Sequence, residues 1–200
     1  MKIIGLTGSI AMGKSEVVKI LRALGIEIFD ADAAVHRLYD SQEGAELLQP
    51  IVPGAIRENR VDRAILAKLV SSDPTLLKKL ESRVHAVVKQ RRNNFIETAT
   101  ANGAEAVVLD IPLLFETGSD KQCDATIVVS APAFLQRQRV LARPGMTEVK
   151  LELLLKRQLS DVEKRKRADV IIENDGDLAL LQMRTQNALA LVLADKETKP

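Results

Sequence analysis

The sequence is poor in the residues that mark several function classes. It has no tryptophan and only 2% aromatic residues, too few for the exposed rings on which single-stranded nucleic acid stacks. A single cysteine, Cys123, excludes an intrachain disulfide framework and fits a reducing cytosol. No apolar run reaches the length of a bilayer span. The opening MKIIGLTG is too short an apolar run for a secretory signal and reads as a strand. Basic and acidic residues nearly balance, 29 against 27, for a net charge of +2, so no general attraction to nucleic acid is expected. Internal repeats and low-complexity segments are absent as well. What remains is a chain of 200 residues with 46% apolar residues, enough for one compact domain with room for an inserted subdomain.

One stretch organises the rest: Gly8-Ser9-Ile10-Ala11-Met12-Gly13-Lys14-Ser15. It fits the phosphate-loop pattern of Gly, four residues, then Gly-Lys-Ser/Thr. Residues 2–6 (KIIGL) before it read as a buried parallel strand. Val17, Val18, Ile20, Leu21 and Leu24 after it recur at helical spacing. Strand, loop and helix together are the context the motif needs. Backbone N–H groups of such a loop cradle phosphate oxygens, helped by the positive end of the following helix. Gly8 and Gly13 let the backbone turn tightly and approach the ligand. Lys14 would reach the β- and γ-phosphates, and the Ser15 hydroxyl would hold Mg²⁺. The motif says nucleoside triphosphate and leaves the acceptor open.

Residues 26–29 (IEIF) form a second strand, closed by Asp30-Ala31-Asp32, and residues 33–39 read as a helix. In parallel α/β sheets ligands gather beyond the carboxyl ends of strands, so the loop and these aspartates are expected to share a cleft. Asp30 reads more readily as a helix cap than as a catalytic group. Asp32 reads equally well as a first-turn acid answering the helix dipole or as a working carboxylate. Residues 41–60 lose the pattern, with Pro50, Pro53 and Gly54 as breakers. A short helix over 61–70 and a long one over 75–101 follow, the latter started by Ser72-Asp73-Pro74. Its apolar stripe is Leu76, Leu77, Leu80, Val84, Val87, Val88 and Phe95. Its basic face of Lys78, Lys79, Arg83, Lys89, Arg91 and Arg92 is ordinarily solvated, or meets an anionic substrate. His85, beside Val84, reads as a packing residue rather than a ligand.

Residues 104–109 are a third strand ending at Asp110, ahead of Ile111-Pro112-Leu113-Leu114-Phe115-Glu116. An acid at that point reaches the Mg²⁺ shell in many phosphate-loop enzymes, or simply starts the turn before Pro112. Residues 125–129 are a fourth strand. Helices over 133–142 and 147–159 meet at Arg143-Pro144-Gly145 and carry Arg137 and Arg139. They read as a mobile lid whose arginines neutralise charge on a transferring group, or as an ordinary charged helix pair. A fifth strand over 170–172, a turn over 174–177 and a helix over 178–194 complete the chain. Cys123 has no second cysteine or nearby histidine with which to bind metal or act as a nucleophile.

With these residues in place, nearly the whole chain resembles the dephospho-CoA kinase family. The likeness rests on GLTGSIAMGKS, on Asp30-Ala31-Asp32 and its helix, and on Asp62-Arg63-Ala64-Ile65-Leu66. It rests further on the Asp-x-Pro-Leu-Leu-Phe-Glu of Asp110 to Glu116, on a lid like Arg139 to Gly145 with Gln158, and on Lys164, Ala168-Asp169 and Asn174. Two positions depart from the family: Ala11 stands where glycine is usual, and Ala86 follows His85 where proline is usual. An alanine in a left-handed backbone at position 11 costs on the order of 1 kcal/mol.

The resemblance implies an α/β fold: a three-layer P-loop kinase core with a five-stranded parallel sheet, a helical substrate-binding insertion and a helical lid. The core would take residues 1–32, 104–135 and 160–200, the substrate-binding region 33–103 and the lid 136–159. The implied reaction moves the γ-phosphoryl group of ATP to the ribose 3′-hydroxyl of dephospho-CoA, with Mg²⁺, in a cytoplasmic monomer without nucleic-acid or membrane partners. Asp32, Lys14 and Arg139 would be catalytic. Gly8, Ala11, Met12, Gly13, Lys14, Ser15, Glu16, Arg139, Arg143 and Asn174 would bind nucleotide. Asp32, His85, Asp110, Leu113 and Leu114 would bind the acceptor, and Ser15 the metal.

Three other readings stand beside it. Another small-metabolite or nucleotide kinase would share the loop and lid and differ in the segment from Asp110 to Glu116. A guanine-specific switch would need Asn-Lys-x-Asp and Asp-x-x-Gly, which the sequence lacks. A non-catalytic nucleotide-binding module would not need Lys14, Ser15 and Asp32 intact.

Overall fold

Short β-branched runs that are buried on both faces make parallel strands, and three such runs with a partly exposed strand at each edge build one sheet here. A computed structural model describes residues 1–194. Its sheet joins β1 (Lys2–Thr7), β2 (Glu27–Asp30), β5 (Ala106–Asp110), β6 (Ala125–Ser130) and β7 (Val170–Glu173) in the order β2-β5-β1-β6-β7. Two further strands, β3 (Ile56–Arg57) and β4 (Arg60–Val61), form a separate antiparallel hairpin. The central strand β1 pairs in parallel with β5, Leu6 opposite Asp110, and with β6, Leu6 opposite Ile127. On the far side β6 pairs in parallel with β7, Ser130 opposite Glu173. This register brings Thr7, Asp110, Ser130 and Glu173 to the same end of the sheet, where the phosphate loop leaves β1.

The helices among the described residues are α1 (Lys14–Ala23), α2 (Ala31–Tyr39), α3 (Gln42–Leu48), α4 (Arg63–Ser72), α5 (Pro74–Ala101), α6 (Ala133–Leu141), α7 (Glu148–Leu155), α8 (Asp161–Arg167) and α9 (Leu178–Ala194). The chain divides into two compact units, Met1–Phe29 with Ala99 onward, and Asp30–Thr98.

The first unit holds β1, β5, β6 and β7 whole and all of β2 except Asp30. Ile4, Leu6, Ile127 and Val129 pack with Val17 and Leu21 of α1 and with Leu181, Ala188 and Val192 of α9. Each such aliphatic side chain contributes about 1.5–3 kcal/mol by leaving water. On the opposite face the segment after β5 closes over the sheet, and a Cβ on Gly5 would lie 2.8 Å from Leu114 Cδ2.

The second unit has its own core of Leu38, Leu48, Val52, Val61, Leu66, Leu80 and Val84. Its helices start on side-chain caps, each satisfying N–H groups that the helix itself leaves unpaired. Asp30 accepts from the Ala33 N–H at 2.8 Å, Ser41 from the Gly44 N–H at 3.2 Å, and Asp62 from the Ala64 and Ile65 N–H groups at 2.9 and 3.0 Å. The hairpin turns on Glu58 and Asn59, both left-handed with φ of 48° and 58°.

The expected five strands are all present. Differences lie in short elements. α3 and the β3–β4 hairpin fall largely within residues 41–60, where no periodicity was readable, and the helix expected over 61–70 runs from Arg63 to Ser72 because Val61 pairs in β4. α8 fills a charged stretch to which no element was assigned, and α7 stops at Leu155 rather than Leu159.

Candidate active site

The phosphate loop is shaped by two left-handed residues and two close approaches. Ala11 has φ +59° and Gly13 φ +98°, so the backbone at position 11 is left-handed on a residue with a Cβ. Gly13 needs its hydrogen for a second reason: a Cβ there would fall 1.9 Å from the Asn174 side-chain nitrogen. Gly8 has no such strain, but its Cβ would fall 2.7 Å from the Val129 carbonyl oxygen, which fixes how closely the loop hugs β6. Between them the Met12 N–H donates to the Ser9 carbonyl at 3.2 Å, and the Glu16 N–H donates to the Gly13 carbonyl at 3.0 Å. The Met12 side chain is buried in the core. Its sulfur accepts from the Ala131 N–H at 3.1 Å, so what Met12 offers the site is its backbone.

Lys14 opens α1, and its ammonium is ion-paired with the Asp110 carboxylate at the end of β5. Asp110 is only 6% exposed, so this is a partly desolvated pair at the mouth of the loop. The loop's positive helix end, the lysine and the aspartate therefore meet at one point. Ser15 follows in the first turn and is exposed. Glu16 accepts from Lys19 at 2.8 Å through its side chain.

The segment that carries Asp110 is held from below. The Pro112 carbonyl accepts from the Thr7 hydroxyl at 2.9 Å and from the Lys164 ammonium at 3.0 Å. Lys164 is fully buried and lies 3.0 Å from Glu116. The same Glu116 oxygen accepts from the Leu159 N–H at 2.7 Å. Leu114 is fully buried, so it supports this segment from the core side, while Leu113 is exposed. Thr7, Glu116 and Lys164 had no role assigned from the sequence. The signature from Asp110 to Glu116 and the isolated Lys164 were the only hints.

Arg139 in α6 donates to the Asn174 carbonyl oxygen at 3.0 Å. Its second terminal nitrogen, Nη1, is buried without a hydrogen-bond partner among the described residues, as is the Ser9 hydroxyl of the loop. A buried guanidinium nitrogen with no acceptor is costly, and an anionic oxygen is the acceptor that suits it best. Arg143 is exposed just past α6, and Gly145 turns the chain with φ +72°. Arg137 of α6 and Glu148 of α7 pair at 2.7 Å. Asn174, expected to touch nucleotide, donates through its side chain to the Met12 carbonyl at 2.9 Å.

The remaining expected residues lie in the second unit. Asp30 is the N-cap of α2, as its position suggested. Asp32 is in the first turn of α2, exposed, with no hydrogen bond or ion pair among the described residues. His85 is exposed on α5 rather than packed, because the buried neighbour Val84 points into the core while the next residue turns away. Among the described residues no three acidic, histidine or cysteine side chains cluster to hold a metal unaided.

A family model described as "Dephospho-CoA kinase" matches residues 2–179. The dephospho-CoA kinase of Bradyrhizobium diazoefficiens is 45% identical over 193 residues, 96% of each chain. That of Brucella melitensis is 46% identical over 176 residues, 88% of each. Among solved structures, the dephospho-CoA kinase of Campylobacter jejuni superimposes with a TM-score of 0.75 at 26% identity, covering 98% of both chains.

Proposed function

The chain belongs to the dephospho-CoA kinase family, and from that premise we propose that it moves the γ-phosphoryl group of ATP to the ribose 3′-hydroxyl of dephospho-CoA, giving coenzyme A and ADP. The observation that carries the proposal is the Lys14–Asp110 pair at the mouth of a left-handed loop, with an arginine nitrogen on the lid helix that has no partner among the described residues. Such an arrangement has donors in surplus, with Asp110 holding Lys14 until a polyanion arrives.

Triphosphate draws Lys14 from Asp110 onto the β- and γ-phosphates, while loop N–H groups take the phosphate oxygens. Arg139 turns its free nitrogen to the transferring group and offsets the charge that spreads over it in the transition state. Arg143, exposed at the corner after α6, joins when the lid closes over the nucleotide. Glu16 belongs to the first turn, where its amide strengthens the helix end. Asp110, relieved of Lys14, turns to the acceptor or to the metal's water shell, beside Leu113.

Oxygen donors suit Mg²⁺, which takes one or two protein ligands and completes its shell with phosphates and water. The Ser15 hydroxyl beside Lys14 and the Asp110 carboxylate are such donors and would hold the ion, which would supply positive charge against that of the phosphates.

Asp32 is the base. A ribose hydroxyl must lose its proton as the new P–O bond forms, and a carboxylate in reach both accepts it and aims the oxygen. Asp32 is exposed and has no partner among the described residues, whereas Asp30 is spent on the α2 cap. His85, exposed on the basic face of α5, serves acceptor binding. The unit from Asp30 to Thr98 is the acceptor-binding region, α6 and α7 are the lid, and the enzyme works as a cytoplasmic monomer. Incubation with ATP, Mg²⁺ and dephospho-CoA, followed by mass analysis, tests the acceptor. Appearance of coenzyme A supports it, and ATP consumed on other small alcohols while dephospho-CoA stays unchanged rejects it.

A further inference from the structure

A cradle for phosphate needs its N–H groups turned inward, which turns its carbonyls outward. Carbonyls that no N–H of the loop or helix start reaches must then be satisfied by side chains. Two buried carboxamides do this. Gln136 of α6, 8% exposed, donates Nε2–H to the Ile10 carbonyl at 2.9 Å. Asn174, just past β7 and also 8% exposed, donates Nδ2–H to the Met12 carbonyl at 2.9 Å. A carbonyl oxygen only accepts, so each amide must present its nitrogen. A third carboxamide, Gln158 past α7, accepts from the Ile10 N–H at 3.2 Å. The Ser9–Ile10, Ile10–Ala11 and Met12–Gly13 peptides around the left-handed Ala11 are thus held by side chains from three distant parts of the chain.

Both donors are also tied to the lid arginine. Gln136 and Arg139 sit three residues apart on α6, one turn of one helix. The Asn174 backbone carbonyl accepts from Arg139 at 3.0 Å. The chemistry of the donors fits the task. A neutral amide satisfies a carbonyl without adding a cation that would compete with Lys14 and Arg139 for phosphate. A carboxylate at either place would lack the hydrogen and set a negative charge beside the polyanion.

We propose that Gln136 and Asn174 are positioning residues for phosphoryl transfer, acting through the Ile10 and Met12 carbonyls to hold the loop and Arg139 in one frame around the triphosphate. This rests on the kinase reading above.

The test replaces each amide by its acid, Gln136→Glu and Asn174→Asp, which are near-isosteric and remove the donor only while ionised. Turnover is measured against pH in parallel with thermal melting and with ATP affinity in the absence of acceptor. The frame predicts a fall in kcat of about 10- to 100-fold at pH 8, with KM for dephospho-CoA unchanged. The deficit relative to wild type should shrink as pH falls and the introduced acid regains a hydrogen to donate. Gln136→Met and Asn174→Ala carry no titrating group and should show the same fall without the recovery. If an acid variant does not fold, its neutral counterpart carries the test through the kcat fall at unchanged KM. Retention of wild-type kcat in both pairs, or a loss that follows the melting temperature with no pH recovery, overturns the proposal. A wild type that binds ATP but never phosphorylates dephospho-CoA rejects the acceptor instead. The frame is then read from ATP affinity, which should fall in all four variants and overturns the proposal if it does not.

Discussion

Replacing Lys164 by methionine should cost this protein a large part of its stability, although Lys164 touches no proposed ligand. The ammonium is fully buried, 3.0 Å from Glu116 and 3.0 Å from the Pro112 carbonyl. Methionine fills much of the same volume and removes the charge. The Pro112 carbonyl keeps the Thr7 hydroxyl at 2.9 Å, so its loss is partial. Glu116 fares worse. One carboxylate oxygen keeps the Leu159 N–H at 2.7 Å, and the other has no partner among the described residues. A buried charge stripped of its counterion costs about 3–5 kcal/mol. At about 2–4 °C per kcal/mol for a chain of this size, Tm should fall by about 6–20 °C. Pairing Lys164→Met with Glu116→Gln removes both charges while the amide oxygen still accepts from Leu159, and should recover most of the loss. Denaturant titration of the wild type, the two single variants and the double gives the coupling directly. A Lys164→Met protein within about 1 kcal/mol of wild type, or a double variant no better than the worse single, would refute the reasoning.

Ala11→Gly should raise stability by about 0.5–1 kcal/mol, because left-handed strain of about 1–2 kcal/mol is partly offset by glycine's greater freedom when unfolded; calorimetry checks it, and activity should be equal or higher. Gly13→Ala, the reverse change two residues on, combines φ +98° with a Cβ 1.9 Å from the Asn174 nitrogen, and isothermal titration should find ATP binding lost from a folded protein. Tyr39 is the one tyrosine in a chain without tryptophan, and burial first, then the Glu81 carboxylate, raise its phenol above the ordinary value. Its contribution to stability is therefore whole below the ordinary ionisation near about pH 10 and is lost as pH rises through the folded-state value. Absorbance titration should show tyrosinate appearing later in folded than in unfolded protein.

The parts of this molecule that were legible in the sequence are those built from neighbours in the chain. The phosphate loop is a spacing, the strands are short apolar runs, and Asp30 announces a cap by standing before a helix. Elements without such a pattern were not legible. α8 consists of Asp161-Val162-Glu163-Lys164-Arg165-Lys166-Arg167; nothing in that charged string shows that Lys164 is buried against Glu116. The β3–β4 hairpin turns on Glu-Asn, without the glycine that usually marks such a turn. α3 carries Gly44 in its middle, which propensity disfavours, yet a Cβ there would lie 1.9 Å from the Leu38 carbonyl oxygen, so tertiary packing requires it. At the site, Lys14 was legible and its partner was not, because the Asp110 pairing depends on the register of β1 against β5. Gln136 and Asn174 reach loop carbonyls 126 and 162 residues away, distances over which sequence alone carries no signal.

Phosphoryl transfer to a ribose hydroxyl requires a proton acceptor, and the turnover of Asp32→Asn tests its identity most directly. Asparagine keeps the shape and loses the basicity, so ATP should still bind while turnover falls by about 10²- to 10⁴-fold. Asp30→Asn, at equal stability, should fall by much less, since asparagine caps a helix nearly as well. Near wild-type turnover in Asp32→Asn, beside an inactive Asp30→Asn or Asp110→Asn, would contradict the assignment and put the base at another carboxylate.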